Sequence, residues 1–432
     1  MPSTPASASA ADAGTPIASH GLSPARARLA LLALALGGFG IGTTEFVAMG
    51  LLPDIARDLR PELWAANQEA AIASAGWMIT AYAAGVVVGA PTIAAFAARF
   101  PRKRLLVALA IAFTTLTVAS ALAPTFASVV AFRFLAALPH GAYFGVAALV
   151  AATLLGPQKR GQAVAFVLSG LTIANVVGVP AITFLGQHTS WRIAYLAVAA
   201  IFALTTAAVA LVVPSQKGDP GATVRRELAA FKRPAVWFAL ATGALGFGGL
   251  FAVYTYVSPL ATEITGAPER FVPVALIVLG LGTTVGNLIG GRMADRGALR
   301  AVFQLFAVFA ASLLTLALAA RSVPGLLIGL FLVGLAASAI SPAIQTRLMD
   351  VAGDSQTMAA AVNHSSLNLG NSLGAFLGGA VIAAGWGYLA PTWLGLGLIV
   401  PGVLAALAGW LVTHGDVPHP SAHVEPAAEE AR

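Results

Sequence analysis

Twelve long apolar stretches decide what this chain can fold into. They run near residues 29–52, 71–96, 105–122, 126–155, 163–184, 193–213, 236–260, 272–289, 301–319, 326–344, 362–384 and 394–412. Most reach the roughly 20 residues an α-helix needs to cross about 30 Å of hydrocarbon. In that medium each backbone N–H and C=O must be satisfied within the protein, and a single long helix does this by itself. Of the 432 residues 58% are hydrophobic and only 9% are charged, against roughly 25% charged in an ordinary soluble domain. A water-soluble globule is excluded, and the fold class is an all-α membrane protein with twelve transmembrane helices.

The placement of charge gives the orientation. With the N-terminus inside, 18 of the 24 Lys and Arg fall in inside segments and five in outside segments, while Arg133 lies within a span. Such a bias places both termini in the cytoplasm, and the net charge of +7 then reflects topology rather than affinity for nucleic acid. Residues 1–28 read as a disordered cytoplasmic tail and 413–432 as a second one. Arg26 and Arg28 abut an apolar run too long for a secretory signal, so the first run is an uncleaved span. Cysteine is absent, which excludes disulfides and thiolate chemistry.

A charged connection, 214–234, divides the spans six and six, giving an N-terminal bundle over 29–213 and a C-terminal bundle over 235–412. The halves resemble each other. An offset of 197 carries Gly85 to Gly282, Gly89 to Gly286, Arg99 to Arg296, Phe134 to Phe331 and Leu135 to Leu332; an offset of 196 carries Asn175 to Asn371. Two pseudo-symmetric six-helix bundles follow, and internal repeats of this kind mark secondary transporters that handle substrate near the midplane.

Of the acidic residues, only Glu45 lies well inside an apolar span, about 7 Å outward of the middle of the first helix at 1.5 Å per residue. A carboxylate there costs roughly 2.5–3.5 kcal/mol on insertion scales, and such acids mark ion or proton pathways. Low-dielectric surroundings favour its proton-bound form. The plainer alternative is a Glu that snorkels to the interface or is satisfied by Thr43 and Thr44. Arg133, the only base inside a span, lies about 11 Å outward of the middle of the fourth helix. Its guanidinium stays charged and needs a carboxylate, carbonyls or water. Close to Glu45 it would keep that carboxylate ionised, and separation would load the proton; alternatively, Arg133 pins helix ends through carbonyls.

His140 follows Arg133 by two helical turns on nearly the same face, with Tyr143 and Phe144 continuing inward. Packing and substrate contact are both open to His140, and His364 reads as more peripheral. Pro91, Pro139, Pro180 and Pro342 predict kinks, and Gly-rich fifth and eleventh helices predict close packing. No phosphate loop, metalloprotease helix or nucleophile elbow occurs. His414, His419 and His423 belong to the C-terminal tail.

Gly42-Thr43-Thr44-Glu45-Phe46 with Gly50-Leu51-Leu52-Pro53, Leu138-Pro139-His140-Gly141-Ala142-Tyr143-Phe144-Gly145, and Gly170 through Asn175 to Gly178-Val179-Pro180 followed by Trp191-Arg192 together resemble the major facilitator superfamily. Within it they resemble the drug/proton antiporters of the arabinose-efflux and chloramphenicol-resistance type. The resemblance implies a cavity lined by helices one, four, seven and ten, efflux driven by inward proton flow, and Arg133 helping the first-helix acid to take or release its proton. Arg99, Arg102 and Lys103 match the basic residues of the family's cytoplasmic loop motif, but Ala98 stands in place of its Asp. The second half keeps Gly291, Asp295 and Arg296. Gly178 and Pro180 belong to the fifth-helix antiporter motif.

The expected function is therefore not enzymatic: a proton-coupled secondary transporter of the bacterial inner membrane exports a small neutral or weakly polar molecule, such as chloramphenicol or a sugar. Glu45 and Arg133 couple protons. Cavity candidates are Thr44, His140, Tyr143, Phe144, Asn175, Tyr254, Ser341, Gln345, Asn368 and Asn371. No cofactor, metal or nucleic acid is called for; the partners are the substrate, protons and the lipid bilayer, and the chain reads as a monomer. Alternatives are a facilitator or proton symporter importing a nutrient, and a membrane sensor or assembly protein that transports nothing.

Overall fold

The computed structural model describes residues 23–97, 100–156, 160–217, 233–352 and 356–415. Among them twelve helices are long and apolar enough to cross a membrane, and no strand occurs. These are α1 (Pro24–Gly50), α2 (Gln68–Ala90), α3 (Arg102–Leu122), α4 (Phe126–Leu155), α5 (Gln162–His188), α6 (Trp191–Val212), α7 (Pro234–Thr255), α8 (Glu269–Asp295), α9 (Ala298–Ala319), α10 (Val323–Leu348), α11 (His364–Trp386) and α12 (Ala390–Thr413). The end of the bundle holding Arg102, Lys103 and the α6–α7 connection is called the basic end below, and the opposite one the far end.

The first helix begins five residues before the apolar run. Pro24 occupies its first turn and the Ser23 hydroxyl accepts from the Arg26 N–H at 3.4 Å. Arg26 and Arg28 are exposed there, because long charged stems can ride on a helix while their heads stay in water. Of the tails expected at 1–28 and 413–432, residues 24–28 and 413–415 are helical while 1–22 and 416–432 lie outside the described residues, as does most of the 214–234 connection. So do Ala98 and Arg99.

Packing follows the internal repeat. In the first half α1 packs on α5 and α6, α2 on α4, and α3 on α6; in the second α7 packs on α11 and α12, α8 on α10, and α9 on α12. Glycine makes the equivalence residue-specific. A methyl on Gly85 would collide with the Phe134 carbonyl, and one on Gly282 with the Phe331 carbonyl. The next turn repeats this, with Gly89 against Leu138 and Gly286 against Leu335. All four partners are related by the offset of 197 seen in the sequence, so the repeat is a shared close approach of backbones, the use that small residues serve in membrane packing.

The expected kinks have local causes. Helix α4 is interrupted at Leu138 and Pro139 and resumes at His140, since proline has no N–H to give its preceding turn. In α5 the residues Ala174–Gly178 form a π turn, with the Val179 N–H reaching back to Ala174 O; the missing donor of Pro180 is absorbed by this wider turn. Pro342 sits inside α10, and the side chain of Pro91 lies outside the described residues.

Between the bundles α2 faces α11 and α5 faces α8. One apolar core takes in Met49, Leu51 and Leu52 at the far end of the first bundle and runs through the second, from Leu276 and Leu279 to Ala294, Val302 and Leu348. A separate core of the first bundle, including Leu34, Phe113 and Phe202, lies toward the basic end.

Candidate functional site

Five residues before the end of α1, Glu45 is buried at 6% exposure. Its Oε1 accepts a hydrogen bond from Asn371 Nδ2 of α11 at 3.3 Å, so the embedded carboxyl is held by the opposite bundle. Neither the snorkelling alternative nor satisfaction by its neighbours describes it. Thr43 Oγ1 donates to Phe39 O at 2.8 Å, and Thr44 Oγ1 accepts from Arg133 Nη1 at 3.2 Å. The register explains the split: residues 43, 44 and 45 project about 100° apart around α1, toward α5, α4 and the bundle interface.

Arg133 is 1% exposed and occupies the same half of the bundle as Glu45. The two form no ion pair. Nor does Arg133 cap a helix end, its Nη1 donating to the side chain of Thr44. Instead its Cζ lies 4.1 Å from the centre of the Tyr82 ring and 5.4 Å from that of Tyr195. Sequence reasoning missed both tyrosines. They sit on α2 and α6, and no local spacing relates them to Arg133; the only signal was that a buried guanidinium needs a partner.

Toward the basic end, Tyr82 Oη lies 3.4 Å from His140 Nδ1. His140 is buried, its ring 5.4 Å from that of Phe144, and Phe144 lies nearly parallel to His364 of α11 at 5.9 Å between centroids. His364 is therefore not peripheral. The helix containing it begins at Gln356, so His364 stands more than two turns inside and faces the other bundle. Nearer the far end, Phe46 stacks on Tyr254 at 5.3 Å and on Phe251 at 6.2 Å, and the buried Tyr254 hydroxyl has no partner.

The remaining candidates scatter. Tyr143 packs in the core of the first bundle and donates to Leu34 O at 3.2 Å. Asn175 lies in the π turn, where its carbonyl meets Gly280 of α8. Asn368 donates to His364 O at 3.0 Å, while Ser341 and Gln345 are half-buried on α10. Arg102 donates to Gln216 Oε1 at 3.2 Å, and Lys103 beside it is half-buried. Gly178 lets α5 approach α1, since a methyl there would lie 2.6 Å from Thr43 Oγ1. Gly291 is half-buried near the end of α8, with Asp295 and Arg296 exposed. Among the described residues no cluster of His, Asp and Glu could hold a metal ion.

Contacts between the bundles concentrate at the far end. Ser372 Oγ donates to Thr80 O at 3.3 Å, Trp77 meets Phe376 edge-on at 5.2 Å, and Gln187 Nε2 donates to Glu269 O at 3.1 Å. Arg57 Nη2 stands 4.0 Å from Glu269 Oε1. Asp54 on the Leu52–Leu59 helix, outside the spans, has its carboxyl raised above the usual 3.8 by burial and then by nearby Glu269, with Arg57 opposing.

The sequence matches the Major Facilitator Superfamily model over residues 34–282 and 259–431. The chain belongs to the major facilitator superfamily. This superfamily member is 42% identical over 363 residues to the inner membrane transport protein YdhP of Escherichia coli K12, covering 83% of this chain and 90% of that one. It is 33% identical over 386 residues to the chloramphenicol resistance protein of Streptomyces lividans, covering 88% and 95%. Two solved structures share the fold alone. One is a bacterial homologue of the human lysosomal transporter Spinster in an inward-facing, unoccupied conformation (TM-score 0.64, 18% identity, 93% and 100% covered). The other is a D-xylose–proton symporter (TM-score 0.67, 17% identity, 89% and 97% covered). As a superfamily member the chain is a multi-pass membrane transporter and not an enzyme.

Proposed function

We propose that this transporter is a proton-coupled exporter of small neutral or weakly polar molecules, in a bacterial inner membrane with its basic end in the cytoplasm. The observation that carries the reading is the Glu45 carboxyl, buried in a span and bonded across the bundle interface to Asn371. A titrating group at that interface links proton occupancy to the separation of the bundles, because clamping it between them removes the water that stabilises its charge. The Asn371 amide suits both forms. Its N–H donates to a carboxylate, and its buried Oδ1, which has no partner, can accept from a carboxylic acid.

With that orientation the sealed far end faces outward, and the arrangement is the inward-facing member of an alternating pair. Rocking of the bundles would open Glu45 to outside protons and then carry one inward as substrate leaves. The proton gradient is the energy source, and one chain suffices. One embedded acid and one embedded base, among rings and amides, suit a cargo without net charge. The Streptomyces relative favours a drug of the chloramphenicol kind, and sugars fit the same chemistry.

The test uses everted vesicles energised to an acid interior and challenged with chloramphenicol and with neutral sugars. An antiporter releases stored protons when its substrate is added, and Glu45→Gln, expressed to the same level, abolishes that release. Undiminished proton release by Glu45→Gln would overturn the assignment. Uptake of solute without any change in vesicle pH would favour facilitation.

A further inference from the structure

Arg133 is short of partners. A guanidinium carries five N–H donors, yet only Nη1 is bonded, to Thr44, while Nε and Nη2 are buried without any hydrogen bond. A cation so placed ordinarily takes a carboxylate, and Glu45 lies one residue along α1 from the very threonine it touches. Two ring faces stand there instead. Both tyrosines are at most 1% exposed, and in a desolvated setting the negative face of an aromatic ring attracts a cation most strongly.

Each wall of this clamp is anchored to a different element. Tyr82 is tied to His140 on α4 by its hydroxyl and by an edge-on ring contact at 6.1 Å. Tyr195 meets Trp191 edge-on at 5.6 Å, and Trp191 Nε1 donates to Asp58 Oδ2 at 2.9 Å. We propose that Tyr82, seconded by Tyr195, is a positioning residue for proton coupling: its ring face parks Arg133 away from Glu45, leaving the carboxyl free to bind a proton.

This rests on Glu45 being the proton carrier. The charged and titratable side chains that bear on the pair are Tyr82 from α2, Tyr195 from α6 and Tyr254 from α7, with His140 of α4 behind Tyr82; α11 presents the neutral Asn371. Remove the Tyr82 ring, and the free Nε and Nη2 can turn to Glu45. The resulting ion pair holds the carboxylate ionised, so protons bind only at lower pH.

The test is a pH titration of the Glu45 carboxylic C=O band by infrared difference spectroscopy on the purified full-length protein, the band being assigned by its loss in Glu45→Gln. Tyr82→Leu should move the midpoint down by about one pH unit or more, the effect of a nearby opposite charge. Tyr82→Phe keeps the ring and should keep the midpoint, and Tyr82→Leu combined with Arg133→Gln should lose the shift. Tyr195→Leu, on a separate helix, should give a smaller shift in the same direction and carries the test if Tyr82→Leu does not fold. An unchanged midpoint in the leucine variants, or an equal shift in Tyr82→Phe, overturns the clamp. A Glu45 band that shifts as expected in a protein releasing no protons from vesicles overturns the transport reading and leaves the clamp standing.

Discussion

At the scale of single residues, the chemistry narrows to a few side chains whose partners come from distant parts of the chain. Glu45 and Arg133 stood out in the sequence because charge inside a span is costly. That cost shows that they have partners without naming them. Asn371 lies 326 residues from Glu45 in the chain, and the rings around Arg133 come from two other helices. Outside the spans Asp54 offers a pH test. Its raised carboxyl binds a proton more tightly in the folded chain than in the unfolded one. Its contribution to stability is therefore fully present below the unfolded value, and is lost as pH rises through the folded value. Asp54→Asn removes the half-buried charge and its repulsion with Glu269. The variant should melt at or above the wild-type temperature at pH 7, with the gap closing as pH falls below about 4; scanning fluorimetry in detergent across that range reads both. A variant that melts well below wild type at pH 7 would mean that the Arg57 contact outweighs the repulsion.

At the scale of helices, local sequence explains where elements bend and where they touch. Pro139 separates the Arg133 turn of α4 from the His140 turn, and Pro180 is accommodated by the π turn at Ala174–Gly178. The spacing of Gly85 and Gly89 reappears 197 residues on because α2 and α8 each press against a backbone, that of α4 and of α10. Gly89→Ala and Gly286→Ala should each destabilise by about 1–3 kcal/mol, the usual cost of overpacking a tight site. Thermal melting of the detergent-solubilised variants measures this, and an unchanged melting temperature in either would show that its helix pair can move apart freely. The proline positions and the glycine repeat were legible in the sequence because they act within one helix or at a fixed offset. The early start of α1 at Pro24 was not, since Arg26 and Arg28 lower local hydropathy although they are compatible with a helix.

At the scale of the whole molecule, the two bundles meet most closely at the far end, and transport by alternating access requires that seal to break. The absence of cysteine makes an introduced pair the only thiols. A methyl on Gly379 would lie 3.2 Å from Ala73 O across the seam of α2 and α11, so Ala73→Cys with Gly379→Cys should cross-link under mild oxidation. The cross-linked protein should lose transport in vesicles and regain it on reduction, each single variant being unaffected by oxidant. Full transport by the cross-linked form would exclude separation of the bundles at this end as part of the cycle.

By itself the sequence determined that the chain is a twelve-helix membrane protein of two related halves, and which acid and base it embeds. Hydropathy, loop charge and internal repeat are properties of contiguous or regularly offset residues, and membrane insertion acts on each segment separately. The tertiary structure decided what those residues touch: that Glu45 is held by Asn371 rather than Arg133, that Arg133 rests between Tyr82 and Tyr195, and that His364 faces Phe144 across the interface. These pairings depend on how helices rotate and pack against one another, and packing is settled by all neighbours together.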